Sequence, residues 1–143
     1  MVLVDVNLLI HAVNADSPDH TRSRTWLLEL LRGQETVALP WAVLIGFVRI
    51  TTHPRILPNP LPLAEALRQV ENWLALPNVT VLQPTHAHLR HFDSLCRTTN
   101  ATVNLITDAH LAALAIEHSV ELASCDTDFN RFPGLRWFNP LTS

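Results

Sequence analysis

Short apolar runs rich in β-branched residues alternate with stretches of helical periodicity along the whole chain, and this alternation limits the possible folds more than any other feature. Val2-Leu3-Val4 reads as a buried strand that ends at Asp5. Further strands are expected at 36–39, 79–82 and 121–125, with a fifth candidate at 135–138. Residues 7–13 predict a short helix, and Ser17-Pro18-Asp19 predicts a helix start with a capping serine and proline at the first helical position. From there Trp26, Leu27, Leu30 and Leu31 recur at helical spacing until Gly33. Pro40 opens a third helix carrying Val43, Leu44, Phe47 and Val48, and Leu63, Leu67, Val70 and Leu74 mark a fourth. Thr85 is expected to cap a fifth, buried through Leu89, Phe92 and Cys96, while 108–118 is apolar on most faces and belongs at the centre. The four prolines within 53–62 predict an extended loop inside one core rather than a linker. Such alternation gives an α/β fold with a parallel sheet of four to five strands and helices on both faces, as one domain over 1–143.

Composition narrows the function. With 48% hydrophobic residues but only 16% charged ones, the chain can build a full core and is expected to cover some apolar surface with a partner. All ten basic residues are arginine and the formal charge is −3, so nucleic acid is not held by bulk electrostatics; any phosphate contact is local and made by guanidinium forks. Cys96 and Cys125 have no neighbours at metal-ligand spacing and read as reduced, buried thiols of a cytoplasmic protein. The opening MVLVDVNLLI lacks a basic n-region, and no apolar run spans a membrane, so neither a signal peptide nor a membrane segment is expected.

Open parallel sheets bind their ligands beyond the carboxyl ends of the strands. Asp5 follows the first strand, Asp126 and Asp128 follow the fourth, and Asp108 is expected to begin the central helix. Carboxylates gathered at one rim repel one another unless a cation neutralises them, and oxygen-only ligands favour Mg²⁺ or Mn²⁺ over Zn²⁺. Each acid also has an ordinary reading: Asp108 can complement a helix N-terminus, and Asp126-x-Asp128 is a common turn composition. Asp5 is harder to explain that way, because an acid at the end of a buried strand is costly without a partner. The eight histidines are scattered, with His88 and His91 as readable as a solvated helix face as a site. Trp26, Trp41, Trp73 and Trp137 read as core or interface anchors.

The combination resembles the PIN domain, and within it the VapC toxins of bacterial toxin–antitoxin pairs. The blocks that carry the likeness are LVDVNLLIHA ending a strand in Asp5, TDAHLAALAIEHSVEL after Asp108, and the hydroxyl-x-Asp-x-Asp-Phe run Ser124-Cys125-Asp126-Thr127-Asp128-Phe129. The segment WAVLIGFVRITTHPRIL is similar to the branch abundant in mycobacteria. The resemblance implies a three-layer PIN-like domain that is a Mg²⁺-dependent endoribonuclease acting on tRNA or ribosomal RNA, with Mn²⁺ able to substitute. It also implies a homodimer neutralised by a cognate VapB-type antitoxin, whose docking is expected on 56–63 and the flanking helices. Carried over residue by residue, Asp5 and Asp108 are the principal metal ligands and catalytic acids. Asp126 completes the cluster, and Asp128 contributes more weakly. Ser124 and Asn7 support the site, and Arg49 faces it from the third helix as a phosphate contact or a carboxylate's partner. Many PIN nucleases carry a glutamate a few residues before that arginine, where this chain has Gly46, so one well-held ion is expected. A domain with weakened chemistry that serves mainly as an antitoxin partner is the alternative. An aspartyl phosphohydrolase is disfavoured, because Asn7 occupies the position of its second acid and the chain has no lysine.

Overall fold

The computed structural model describes residues 1–142; Ser143, the last residue of the expected domain, lies outside the described residues. Five strands form one sheet: β1 (Val2–Val4), β2 (Val37–Ala38), β3 (Val79–Thr80), β4 (Glu121–Ala123) and β5 (Trp137–Phe138). All pairings are parallel, in the order β3-β2-β1-β4-β5. β1 is central because it is apolar throughout and wholly buried: Leu3 and Val4 have no exposed surface, as expected for a strand covered on both faces. Register is set by Leu3, which lies opposite Ala38 on one side and Leu122 on the other.

The helices are α1 (Val6–Val13), α2 (His20–Arg32), α3 (Trp41–Thr51), α4 (Leu63–Leu74), α5 (His88–Thr99) and α6 (Val103–Glu117). Moving from β1 to β2 to β3, the chain steps in one direction along the sheet; from β3 to β4 it returns past β1. With right-handed crossovers, that reversal puts α1–α4 on one face and α5–α6 on the other. The helix contacts agree: α1 packs on α2 and α3, and α3 on α4, whereas α5 packs on α6. The strand order therefore reverses between β1 and β4, where a crevice opens at the carboxyl edge. Phe47 from α3 and Trp73 from α4 meet edge to face at 4.8 Å in the core of the first helical layer.

Several expected boundaries shift. Ser17 does not cap α2 directly; its Oγ accepts the Asp19 N–H at 3.1 Å in a turn, and the helix begins at His20. Thr85 likewise closes a turn by accepting the Ala87 N–H, so α5 begins at His88. Leu89 is not part of the core, being 74% exposed; Leu95 takes its place, with Phe92 and Cys96 half-buried beside it. Cys96 and Cys125 are both free and half-buried rather than fully enclosed. The larger correction concerns α6, which starts at Val103, so Asp108 sits in its second turn and does not complement its N-terminus. That first turn escapes a periodicity reading because Val103 and Ile106 point outward, at 83% and 45% exposure. Among the described residues no helix is long and apolar enough to cross a membrane.

Candidate metal centre

Parallel pairing of β1 with β4 fixes the first element of the site. The Asp5 N–H donates to the Ala123 carbonyl at 3.0 Å, which carries the pairing one residue beyond β1 and sets Asp5 beside Ser124. Asp5 is only 4% exposed, and both of its oxygens are engaged. The Val6 N–H donates to Oδ1 at 2.7 Å, making Asp5 the N-cap of α1, and the Ser124 hydroxyl donates to Oδ2 at 2.7 Å. Ser124, itself fully buried, also accepts from Asn7 Nδ2 and from the Asp126 N–H, each at 3.0 Å. Asn7 Oδ1 in turn accepts the Cys125 N–H at 3.4 Å. Asn7, Ser124 and Asp5 thus form one hydrogen-bonded chain that ties the start of α1 to the end of β4.

The chain then turns through Asp126, which caps the short 3-10 helix Thr127–Arg131 by accepting the Asp128 N–H at 2.9 Å. Phe129 anchors this turn with no exposed surface. The indole N–H of Trp137 donates to the Ser124 carbonyl at 3.0 Å, and the Ser124 N–H donates to Phe138, so β5 holds the turn from its far side. Across the crevice, α6 brings Asp108 to Asp126 and Asp128; an oxygen from each of the three lies within 4.8 Å of the others.

The electrostatics follow from this crowding. Burial, then the charges of Asp5, Asp126 and Asp128, push the Asp108 carboxyl up from 3.8 to about 7. Burial also raises Asp5, against its hydrogen bonds from Ser124 and Val6, with Asp126 adding to the rise. Burial, with Asp5 close by, pushes the Cys125 thiol up to about 11, which makes it a poor nucleophile. A cluster that resists holding its full negative charge fits a divalent cation. The donors are all hard oxygens, the ligand type that Mg²⁺ and Mn²⁺ prefer. Asp108, Asp126 and Asp128 would hold such an ion; Asp5, expected as a principal ligand with Asp108, lies close to them with its oxygens hydrogen-bonded to Val6 and Ser124.

Seven residues carried the sequence-based site. The fold brings Asp5, Asp108, Asp126, Asp128, Ser124 and Asn7 together. Arg49 is exposed on α3 and has no carboxylate partner among the described residues. Gly46 lies one helical turn before it; a Cβ there would meet Val6 Cγ2 at 3.5 Å, so this position faces the start of α1 next to Asp5. Sequence spacing missed a second polar group. His88 is not a solvated residue: its Nδ1 lies 3.1 Å from Glu117 Oε2, and its Nε2 lies 2.9 Å from His110 Nδ1. These residues are separated by 29 and 22 positions, and no local pattern links them.

The chain matches the PIN domain family profile over residues 2–135. It is 43% identical over 143 residues to ribonuclease VapC37 of Mycobacterium tuberculosis, covering 98% of this chain and 97% of that protein. Ribonuclease VapC33 of the same species is 40% identical over 141 residues, covering 99% of each. Among solved structures, VapBC2 from Rickettsia felis bound to a promoter DNA fragment aligns with a TM-score of 0.71 at 15% identity, covering 97% of this chain and 98% of that one. VapC20 of M. tuberculosis, a toxin that cleaves the sarcin–ricin loop, aligns with a TM-score of 0.66 at 15% identity over 95% and 99%.

Proposed function

From a chain that belongs to the PIN domain family, and within it to the VapC ribonucleases of toxin–antitoxin systems, we propose an endoribonuclease that cuts structured RNA, tRNA or ribosomal RNA, with the help of Mg²⁺ or Mn²⁺. The observation that carries this reading is the convergence of Asp108, Asp126 and Asp128 beside buried Asp5, with the Asp108 carboxyl raised to about 7. The ion, when bound, withdraws charge from the scissile phosphate and makes a nearby water acidic. The protein supplies the rest. Asn7 and Ser124 hold Asp5 in one orientation, so its charge is fixed before substrate arrives. Asp126 accepts the Asp128 N–H and donates its own N–H to the Ser124 hydroxyl, and Asp108 is carried on the most enclosed helix of the fold. Arg49, exposed on α3, is assigned a contact to an RNA phosphate.

A cognate VapB-type antitoxin, a homodimeric toxin and a cytoplasmic setting complete the proposal. The surface supports a partner-covered protein: Trp41, Ile45, Leu63 and Leu67 are 49–61% exposed, more large apolar surface than an isolated small domain needs. The test compares RNA cleavage by the wild type and Asp108→Asn, each with and without Mg²⁺. Cleavage restricted to wild type with the metal is expected; equal cleavage by both proteins would refute the role of the acids. One observation favours a second reading, a domain with weakened chemistry that acts mainly through its antitoxin: Gly46 adds no carboxylate at the start of α1. A wild type that binds antitoxin but cuts no RNA would select it.

A further inference from the structure

A buried carboxylate–imidazole–imidazole chain, unused by the acidic site, ends at an open cavity on the same rim of the sheet. Glu117, whose side chain is 1% exposed, accepts the Thr85 N–H on one oxygen at 3.0 Å and faces His88 Nδ1 with the other at 3.1 Å. A carboxylate can only accept, so His88 Nδ1 carries a proton that points at Glu117. His88 Nε2 then pairs with His110 Nδ1 at 2.9 Å, which leaves His110 Nε2 as the outer end of the chain. That nitrogen has no hydrogen-bond partner among the described residues, yet it is not sealed from solvent.

The cavity, about 460 Å³, is lined by Ala42, His88, Phe92, Ile106, Thr107 and His110. His88 and Phe92 stack nearly parallel, with 12° between their rings and centroids 6.1 Å apart, and both reach the cavity. Ala42 belongs to the first turn after β2, so the cavity opens at the carboxyl edge where Asp5 and Asp126 also lie. Thr107, on its wall, precedes Asp108 in α6, and successive helical residues project about 100° apart. A strand crossing the N-terminal half of α6 therefore meets the carboxylates on one flank and the cavity on the other.

We propose that this cavity takes one unstacked base of the RNA substrate, flanking the cut, packed against the His88–Phe92 stack and with a polar edge group hydrogen-bonded to His110 Nε2. The inference rests on the nuclease reading above and adds a determinant of sequence preference to it. A base suits the cavity better than apolar side chains of a second copy, which would cover His110 Nε2 and the Thr107 hydroxyl without giving either a partner.

Two measurements test this. In the first, side-chain NMR of the full chain without divalent ions follows titration with 5′-AMP, CMP, GMP and UMP. Saturable shifts at His110, Phe92 and Ile106 are expected with at least one nucleotide. In the second, a randomised single-stranded RNA pool is cut in Mg²⁺ by wild type, His110→Gln and Ile106→Glu. Ile106 is 45% exposed, so its replacement leaves the core intact. Both variants should lose the base preference at one position beside the cut, with at least a tenfold fall in kcat/KM on favoured sequences and little change on the others. An unchanged preference in both variants, with no nucleotide shifts at the cavity, overturns the proposal. Conversion of a dimer to a monomer with preference unchanged also overturns it, by assigning the cavity to a second copy. Nucleotide shifts at the cavity in a wild type that cuts no RNA would uphold the base site and remove the nuclease reading instead.

Discussion

Asp5 and Asp108 hold the same functional group in opposite circumstances. Asp5 is buried but receives the Val6 N–H and the Ser124 hydroxyl, whereas among the described residues no hydrogen bond offsets the charges that Asp108 faces. The folded chain therefore keeps a proton on Asp108 up to about pH 7, while in the unfolded chain the group titrates near 3.8. Between those values the folded state binds more protons, so stability in the absence of divalent ions falls as pH rises through that window and levels off above about 7. Urea unfolding followed from pH 4 to 8 should show this decline, and Asp108→Asn should flatten it. Added Mn²⁺ should restore stability most strongly at the high end, because binding must displace that proton. A wild type and an Asp108→Asn variant with the same pH profile would show that the repulsion is not there. The same substitution should abolish growth arrest on expression while raising the metal-free melting temperature by about 3 °C, the consequence of relieving roughly 1 kcal/mol of repulsion. Retained arrest would remove Asp108 from the chemistry.

At the scale of elements, α3 shows what one glycine changes. Gly46 sits inside a helix, where glycine costs about 1 kcal/mol relative to alanine, yet an added Cβ meets only Val6 Cγ2 at the ordinary distance of 3.5 Å. Gly46→Ala should therefore stabilise the fold by up to about 1 kcal/mol in urea denaturation; a destabilised variant would reveal a close approach that this spacing excludes. Gly46→Glu tests the chemistry of the same position. Its carboxylate would reach toward the start of α1, and calorimetry with Mn²⁺ should read one tight ion in wild type and a second in the variant. Two tight ions already in wild type would contradict the dependence on that position. The elements also show what a sequence can reveal. β1 was legible because Val2, Leu3 and Val4 admit only a buried strand, and Asp5 stood out as the one acid such a strand cannot ignore. The start of α6 was not legible, because Val103 and Ile106 turn outward and break the apolar stripe. The Glu117–His88–His110 chain was hidden for another reason: its members come from two helices whose packing, not their spacing, makes them neighbours.

For the whole molecule, the order β3-β2-β1-β4-β5 concentrates ligand chemistry at the β1–β4 reversal, and a separate apolar cavity lies on the flank of α1, α3 and the proline-rich loop. The alternation of strands and helices makes a parallel sheet legible, but this flank depends on how 53–62 folds back, which no periodicity encodes. There a cavity of about 390 Å³ is walled by Ile10, Ile50, Ile56 and Leu57 and reaches Asn7, a member of the hydrogen-bonded chain behind the acids. An antitoxin segment with an apolar side chain seated here would lie against the residue that orients Asp5, so binding and inhibition would be coupled through Asn7. Ile56 and Leu57 are not equivalent probes of this surface. Leu57 is 7% exposed and belongs to the interior, so a polar residue there would damage the fold and obscure any effect on binding. Ile56 is 50% exposed and can be changed without that cost. Ile56→Glu should weaken antitoxin binding at least tenfold, about 1.4 kcal/mol, while leaving the melting temperature and metal-dependent cleavage of the free toxin unchanged. Titration calorimetry against the cognate antitoxin reads the first effect and an RNA cleavage assay the second. Unchanged affinity would move the antitoxin to another face, and loss of cleavage together with affinity would mean that this wall serves the catalytic site itself.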